Sequence, residues 1–231
     1  MTTVFVTPEE WEGERLELVG AVHHHLFRVG RLAVGESLRL ADGAGHARGG
    51  VIEFVNRTRA EVRLGSQLPG NESDVEVQLL VVAPKKARAE WLVEKATEVG
   101  VGAVRFLCSE RGPRRYGEGA FERFRRIARS AAEQCERALV PEVTGMHEGE
   151  EVTDLVKSSA ARFVLDASGR PLAPAAGLAS IALLVGPEGG WSSRELDEFA
   201  ECGIVPAGLG RRVLRVETAA VVAVSKCVIP D

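Results

Sequence analysis

Hydrophobic and polar positions change rhythm near residue 70, and the change predicts two parts with different architectures. Before it, ESLRLADG (36–43), HARGGVIEFVN (46–56) and RAEVRLGSQ (59–67) are short runs rich in Val, Ile, Leu and Arg. Turn signals such as Asp42-Gly43 separate them, so they read as strands. Ahead of them, LVGAVHHHLFRVGRL (18–32) has helical spacing, which places Val22, Leu26 and Val29 on one face. The pattern predicts a small β-barrel carrying one helix over residues 1–70, with the polar stretch LPGNESD (68–74) as its linker.

Residues 75–231 alternate strand-like and helix-like segments. VEVQLLVVAP (75–84) is apolar enough to be a central strand buried on both faces. KARAEWLVEKATEVG (86–100) is amphipathic, with Trp91, Leu92, Lys95, Ala96 and Val99 near one side and Gly100 at its C-cap. AVRFLC (103–108), RFVLDA (162–167) and SIALLVGP (180–187) read as further strands. GAFERFRRIARSAAEQCERAL (119–139) reads as a long helix ended by Pro141, and SSRELDEFAECG and VETAAVVAVSKCV as two more. Strands alternating with helices predict a parallel sheet covered on both faces.

Composition narrows the class. With 45% hydrophobic residues and no apolar run near the roughly 20 residues of a membrane span, the chain reads as a soluble globular protein with a real core. MTTVFVTPEEWEGE has neither a basic start nor an apolar stretch of secretory type, which predicts a cytoplasmic protein. The four cysteines form no C-x-x-C pair and read as reduced, buried thiols. Consecutive helical residues point about 100° apart, so His23, His24 and His25 cannot converge on one ion, and no metal is expected.

Charge is uneven. Residues 1–75 carry 8 basic and 11 acidic side chains and 141–231 carry 8 and 13, but 76–140 carry 13 and 9. Within the middle part, RGPRRYGEGAFERFRRIAR (111–129) has seven arginines against two glutamates. Such a stripe is either a nucleic-acid contact or a solvated helix face.

Two glycine turns carry the candidate chemistry. In LLVGPEGGWSSRE (183–195) an apolar run stops at Gly186-Pro187, and Glu188 precedes Gly189-Gly190. The segment lacks the Gly-Lys-Ser/Thr ending of a phosphate loop and is not G-x-G-x-x-G. It offers bare backbone and one buried-looking carboxylate, which suits a ligand with a cationic or hydrogen-bond-donating part. Taken alone, it reads better as a strained turn entering a helix, with Ser192 and Glu195 as a capping box. GLGRRVLRVETA (208–219) is a second such turn, and two of them at strand ends of one sheet could close on a single ligand. There is no G-x-S-x-G elbow and no Cys/His pairing for nucleophilic hydrolysis.

GPEGGWSSRE followed by LGRRVLRVETA resembles the C-terminal signature of the knotted SPOUT-class methyltransferases, and more narrowly the RsmE family, which methylates N3 of a uridine in 16S ribosomal RNA. PKKARAEWLVEKATEVGV (84–101), SERGPRR (109–115), AAEQCERALVPEV (131–143) and HHLFRVGRLAVGESLRLADGAG are similar to that family as well. The resemblance implies an N-terminal PUA-like, RNA-binding β-barrel (1–70) and a SPOUT-type α/β domain with a C-terminal trefoil knot (75–231). It implies that S-adenosyl-L-methionine lies against Leu165, Val185, Gly186, Pro187, Glu188, Gly189, Gly190, Leu209, Gly210 and Leu214. Glu188 would then complement the ligand's positive charges. Arg215 is expected to stabilise the developing uracil anion, and Glu217 or Glu133 to accept the N3 proton. His25, Arg28 and Arg31 of the barrel, with Arg111, Arg114, Arg115 and Arg126 of the stripe, are expected to hold 16S ribosomal RNA. A homodimer paired partly through the apolar final helix, with no membrane association, completes the expectation. Two rivals remain: a non-catalytic RNA-binding or ribosome-assembly protein, and a knotted methyltransferase acting on tRNA.

Overall fold

The computed structural model describes residues 1–11, 13–112, 115–173 and 177–228. They form two compact units, Met1–Glu72 with Ala132–Val140, and Ser73–Ala131 with Pro141–Asp231.

The first unit is a five-stranded sheet made from β1 (Thr2–Phe5), β2 (Arg15–Val19), β3 (Ser37–Ala41), β4 (Ala47–Val55) and β5 (Arg59–Gln67). The order is β1-β3-β4-β5-β2, parallel only between β1 and β3. Alternation builds it: Leu16 and Leu18 of β2, Leu38 and Leu40 of β3, and Ala60, Val62 and Leu64 of β5 all point into one core. Burying each large side chain contributes about 1.5–3 kcal/mol.

The predicted helix is a correction. Its first residues, Leu18 and Val19, belong to β2, and only α1 (Gly20–His23) is α-helical before a π-helical stretch, His24–Val29. His23, Leu26 and Phe27 are buried, while Val22 and Val29 are 36% and 63% exposed. The wider winding from His24 breaks a 3.6-residue repeat carried through the segment. His23 Nε2 bonds to the Asn56 carbonyl at 3.1 Å, and its ring packs on Phe27.

Residues 132–140 belong to this unit. Ala132 and Ala138 pack with Phe5, Ala41 and Ala47. Arg137 is buried and pairs with Glu72 at 2.7 Å, and Glu72 also accepts the Leu139 N–H. The polar stretch 68–74 is therefore tied down by hydrogen bonds.

The second unit runs β6 (Glu76–Val82), α2 (Lys86–Glu98), β7 (Ala103–Leu107), α3 (Glu118–Gln134), β8 (Glu142–His147), α4 (Glu150–Val156), β9 (Ala161–Pro171), β10 (Ser180–Val185), α5 (Ser193–Glu201), β11 (Val205–Gly208) and α6 (Val216–Val228). All neighbours in its six-stranded sheet are parallel, in the order β11-β9-β10-β6-β7-β8. The apolar runs of β6 and β10 occupy the centre and are buried throughout Val77, Leu79–Val82 and Ile181–Val185.

Three details depart from the sequence reading. Trp91 is 43% exposed, because α2 buries Ala89, Leu92, Val93, Ala96 and Thr97 instead. Helix α3 stops at Gln134, with Glu136 in a left-handed conformation (φ 61°), well before Pro141. Of the four free thiols only Cys227 is buried, and burial pushes it up to about 11. Among the described residues no helix is long and apolar enough to cross a membrane.

The sheet is irregular at two places, a one-residue shift between β7 and β8 at Phe106/Leu107 and a larger one between β9 and β11. Val164 of β9 faces Pro206 of β11, but the next β11 residue, Ala207, faces Arg170. Residues 165–169 of β9 bulge out with no counterpart, and such bulges re-aim side chains next to sites. The bulge closes where Gly169 crosses β11: a Cβ there would lie 2.4 Å from the Ala207 nitrogen. Gly169→Ala is expected to cost about 1–3 kcal/mol through overpacking of backbone on backbone. Urea denaturation monitored by circular dichroism measures this, and wild-type stability would contradict the close crossing.

Candidate active site

Because the sheet is parallel, β9, β10 and β11 present their carboxyl ends at one edge, where open α/β sheets leave a crevice. A cavity of about 290 Å³ opens there. The end of β10 supplies Val185, Gly186, Pro187, Glu188 and Gly190; the β9 bulge supplies Leu165 and Asp166; the loop after β11 supplies Leu209, Gly210 and Leu214. Gly189 stays out of the wall.

The glycine loop after β10 is held from both sides. Ser192 caps α5 by accepting the Glu195 N–H at 3.1 Å, and the Glu195 carboxylate accepts the Ser192 N–H at 2.7 Å, completing the capping box. The same carboxylate accepts the Glu110 N–H at 3.1 Å, and Arg111 donates to the carbonyls of Gly189 and Trp191, both at 3.1 Å. Arg111, expected on RNA, is thus a strut of this loop. Trp191 is buried edge-on to Phe199 and lies so close to Gly186 that a Cβ there would sit 2.8 Å from the indole nitrogen. That nitrogen has no hydrogen-bond partner among the described residues, and Trp191 lines the cavity.

The acid picked out in the sequence is not the buried one. Glu188 has a 69% exposed side chain and pairs with Arg88 of α2. Arg88 also approaches Glu217 of α6, Nε to Oε1 at 3.5 Å. Glu217 is buried, and its Oε2 has no partner among the described residues. Arg88 therefore joins the loop after β10 to the helix after the second glycine turn, a role with no sequence signal. Arg215 is exposed and stands outside the cavity wall, where Arg211 and Arg212 are found instead. Glu133 belongs to the first unit and is not part of the wall.

Sequence reasoning also missed Asp166. Its Oδ1 accepts the Ser168 hydroxyl at 2.5 Å and the Ser168 N–H at 2.8 Å. These two donors hold the carboxyl below its ordinary range, so it stays ionised in the wall at neutral pH. The sequence pattern ends this strand at Ala167, but β9 runs on to Pro171, and Gly169 just past that pattern was the available signal for the bulge that presents Asp166.

Most of the described arginines of the stripe have a partner within the chain, in pairs that lie at the surface. Arg115 pairs with Glu148 and Arg123 with Glu90, each at 2.6 Å. Arg125 pairs with Glu118 at 2.6 Å, and Arg126 bonds the Glu122 carbonyl. Arg114 lies outside the described residues. In the first unit, His25, Arg28 and Arg31 are exposed.

Arg88→Ala would leave Glu217 buried without its cation and is expected to cost roughly 1–3 kcal/mol. Arg88→Ala/Glu217→Gln should recover part of the loss, since an unpaired amide is cheaper to bury than an unpaired carboxylate. Chemical denaturation of both variants checks the pair; equal stability of the two would contradict it.

Comparison with known proteins agrees with this geometry. A family model described as an RNA methyltransferase domain matches residues 71–228, and one described as an RNA methyltransferase PUA domain matches 20–65. The chain is 36% identical to the ribosomal RNA small subunit methyltransferase E of Mycobacterium bovis, over 86% of this chain and 80% of that one. It is 30% identical to the Synechocystis protein of the same name, over 96% and 75%. A ribosomal RNA small subunit methyltransferase E from Neisseria gonorrhoeae, solved bound to S-adenosyl methionine, superposes with a TM-score of 0.87 at 28% identity, over 97% and 95% of the two chains. The chain belongs to the RNA methyltransferase family that contains these ribosomal RNA small subunit methyltransferases E.

Proposed function

We propose that this protein is an S-adenosyl-L-methionine-dependent methyltransferase acting on N3 of a uridine in 16S ribosomal RNA of the small subunit. The observation that carries the reading is the meeting of both glycine loops and the β9 bulge on one cavity at the carboxyl edge of the sheet. The residues present fit the cofactor. Leu165, Val185, Leu209 and Leu214 offer apolar wall, the loop backbones offer hydrogen bonds, and Trp191 has an unsatisfied indole N–H. S-adenosyl-L-methionine, when bound, supplies an electrophilic methyl group on a positively charged sulfur.

In this reading Asp166 supplies the negative charge that the cationic ligand needs inside the wall, while Glu188 is engaged with Arg88 at the rim. Arg215, exposed at the end of the loop after β11 and outside the wall, is assigned to the uracil anion left when N3 loses its proton, reaching it from the rim once RNA is bound. Glu217 holds Arg88 in place, because its free oxygen is buried, and the N3 proton leaves to solvent at the open mouth. Residues 1–70 act as the RNA-holding barrel, and a target base must be splayed from its stack before it reaches residues 75–231. The trefoil knot, a homodimer and a cytoplasmic location belong to the same reading. Helix α6 buries one face on α2, β6 and β10 and leaves Val221 and Val222 half-buried, which suits part of a homodimer face.

Nucleoside analysis of 16S ribosomal RNA from cells lacking the protein tests the reaction: loss of N3-methyluridine, restored by the gene, is expected. Intact N3-methyluridine, or a loss confined to tRNA, would refute it. Asp166→Asn should weaken S-adenosylmethionine about tenfold or more while changing S-adenosylhomocysteine, which lacks the sulfonium, much less. Calorimetry with both ligands gives the ratio. With the carboxyl already held below its ordinary range, that discrimination should persist in wild type as pH falls from 7 to 5.

A further inference from the structure

The seven arginines of segment 111–129 make it the most basic stretch of the sequence, but the fold brings Glu90 and Glu148 against it and turns Arg111 inward. The opposite has happened in the loop after β11. Arg211 and Arg212 line the mouth of the cavity, are exposed, and have no hydrogen bond or ion pair from their side chains among the described residues. Arg215, at the end of the same loop, is exposed and likewise unpaired. Val213, between Arg212 and Arg215, is 100% exposed, so this part of the loop is presented to solvent.

We infer that Arg211 and Arg212 form the RNA-phosphate clamp at the cavity mouth, and that the 111–129 stripe contributes little to RNA affinity. The inference rests on RNA being the substrate, as proposed above. The physical reason is charge bookkeeping at close range. An arginine already 2.6 Å from a carboxylate presents almost no net field, and releasing it for a phosphate uncovers the carboxylate. An unpaired guanidinium carries its full charge to the phosphate and releases a counterion. The position adds orientation: a base entering the cavity has its flanking phosphates at the mouth, where Arg211 and Arg212 stand.

The test is binding of a 16S ribosomal RNA transcript at several salt concentrations, with S-adenosylmethionine affinity measured by calorimetry on the same preparations. Arg211→Ala/Arg212→Ala should flatten the log–log salt slope by roughly 1.4–1.8, the sum for two lost phosphate contacts, with cofactor affinity within about threefold of wild type. Arg115→Ala/Arg123→Ala should leave the slope near its wild-type value. Arg211→Lys/Arg212→Lys should retain it, since charge and not loop shape is the cause. An unchanged slope in the 211/212 alanine variant overturns the inference. So does a more than tenfold loss of cofactor affinity, which would assign these arginines to the cofactor's carboxylate, or a slope that falls instead in the 115/123 variant. Failure of the methylation reading is visible separately: RNA that binds with a slope dependent on 211 and 212 but acquires no N3-methyluridine refutes the reaction while supporting the clamp.

Discussion

Gly169 crosses β11 so closely that any side chain there would meet the Ala207 backbone, and the architecture of the cavity follows from that crossing. The two strands stay in register up to Val164 and Pro206, and resume at Arg170 and Ala207. The β9 residues left over have nowhere to go but outward. They carry Leu165 and Asp166 to the carboxyl edge, beside the turns that leave β10 and β11. A parallel sheet guarantees that three such turns share one edge; the bulge decides which side chains meet there.

A second constraint is electrostatic. Arg88 reaches an exposed carboxylate, Glu188, and a buried one, Glu217, and so links two segments that are far apart in sequence. Only the buried partner makes the link costly to break, since surface ion pairs contribute about 1 kcal/mol or less. A different contrast, paired against unpaired, separates Arg115 and the α3 arginine Arg123 from the arginines after β11. Arg123 meets Glu90 of α2 and Arg115 meets Glu148 of the turn before α4, whereas Arg211 and Arg212 face solvent at the cavity. Local charge density along a chain is a poor guide to surface potential when the fold can deliver counter-charges from elsewhere.

What the sequence by itself determined were the features written in short-range pattern. Alternation in RAEVRLGSQ, the continuous apolar run of VEVQLLVV, the capping box at Ser192 and Glu195, and the extent of the final helix are all local, and each is found in the structure. The two glycine turns were legible for the same reason, because turn chemistry resides in adjacent residues. Strands β1 and β8 were not, being too short or too mixed in pattern, and β2 was hidden by a helical repeat that began inside it. Only the tertiary structure decided which acid is buried, which arginines are free and which side chains line the cavity. Glu188 and Glu217, or Arg115 and Arg212, are the same residue types, and nothing in their local sequence states which is buried or paired. Their difference lies in burial and in partners supplied by Arg88, Glu148 and the β9 bulge, contacts that span from 33 to more than 100 positions along the chain.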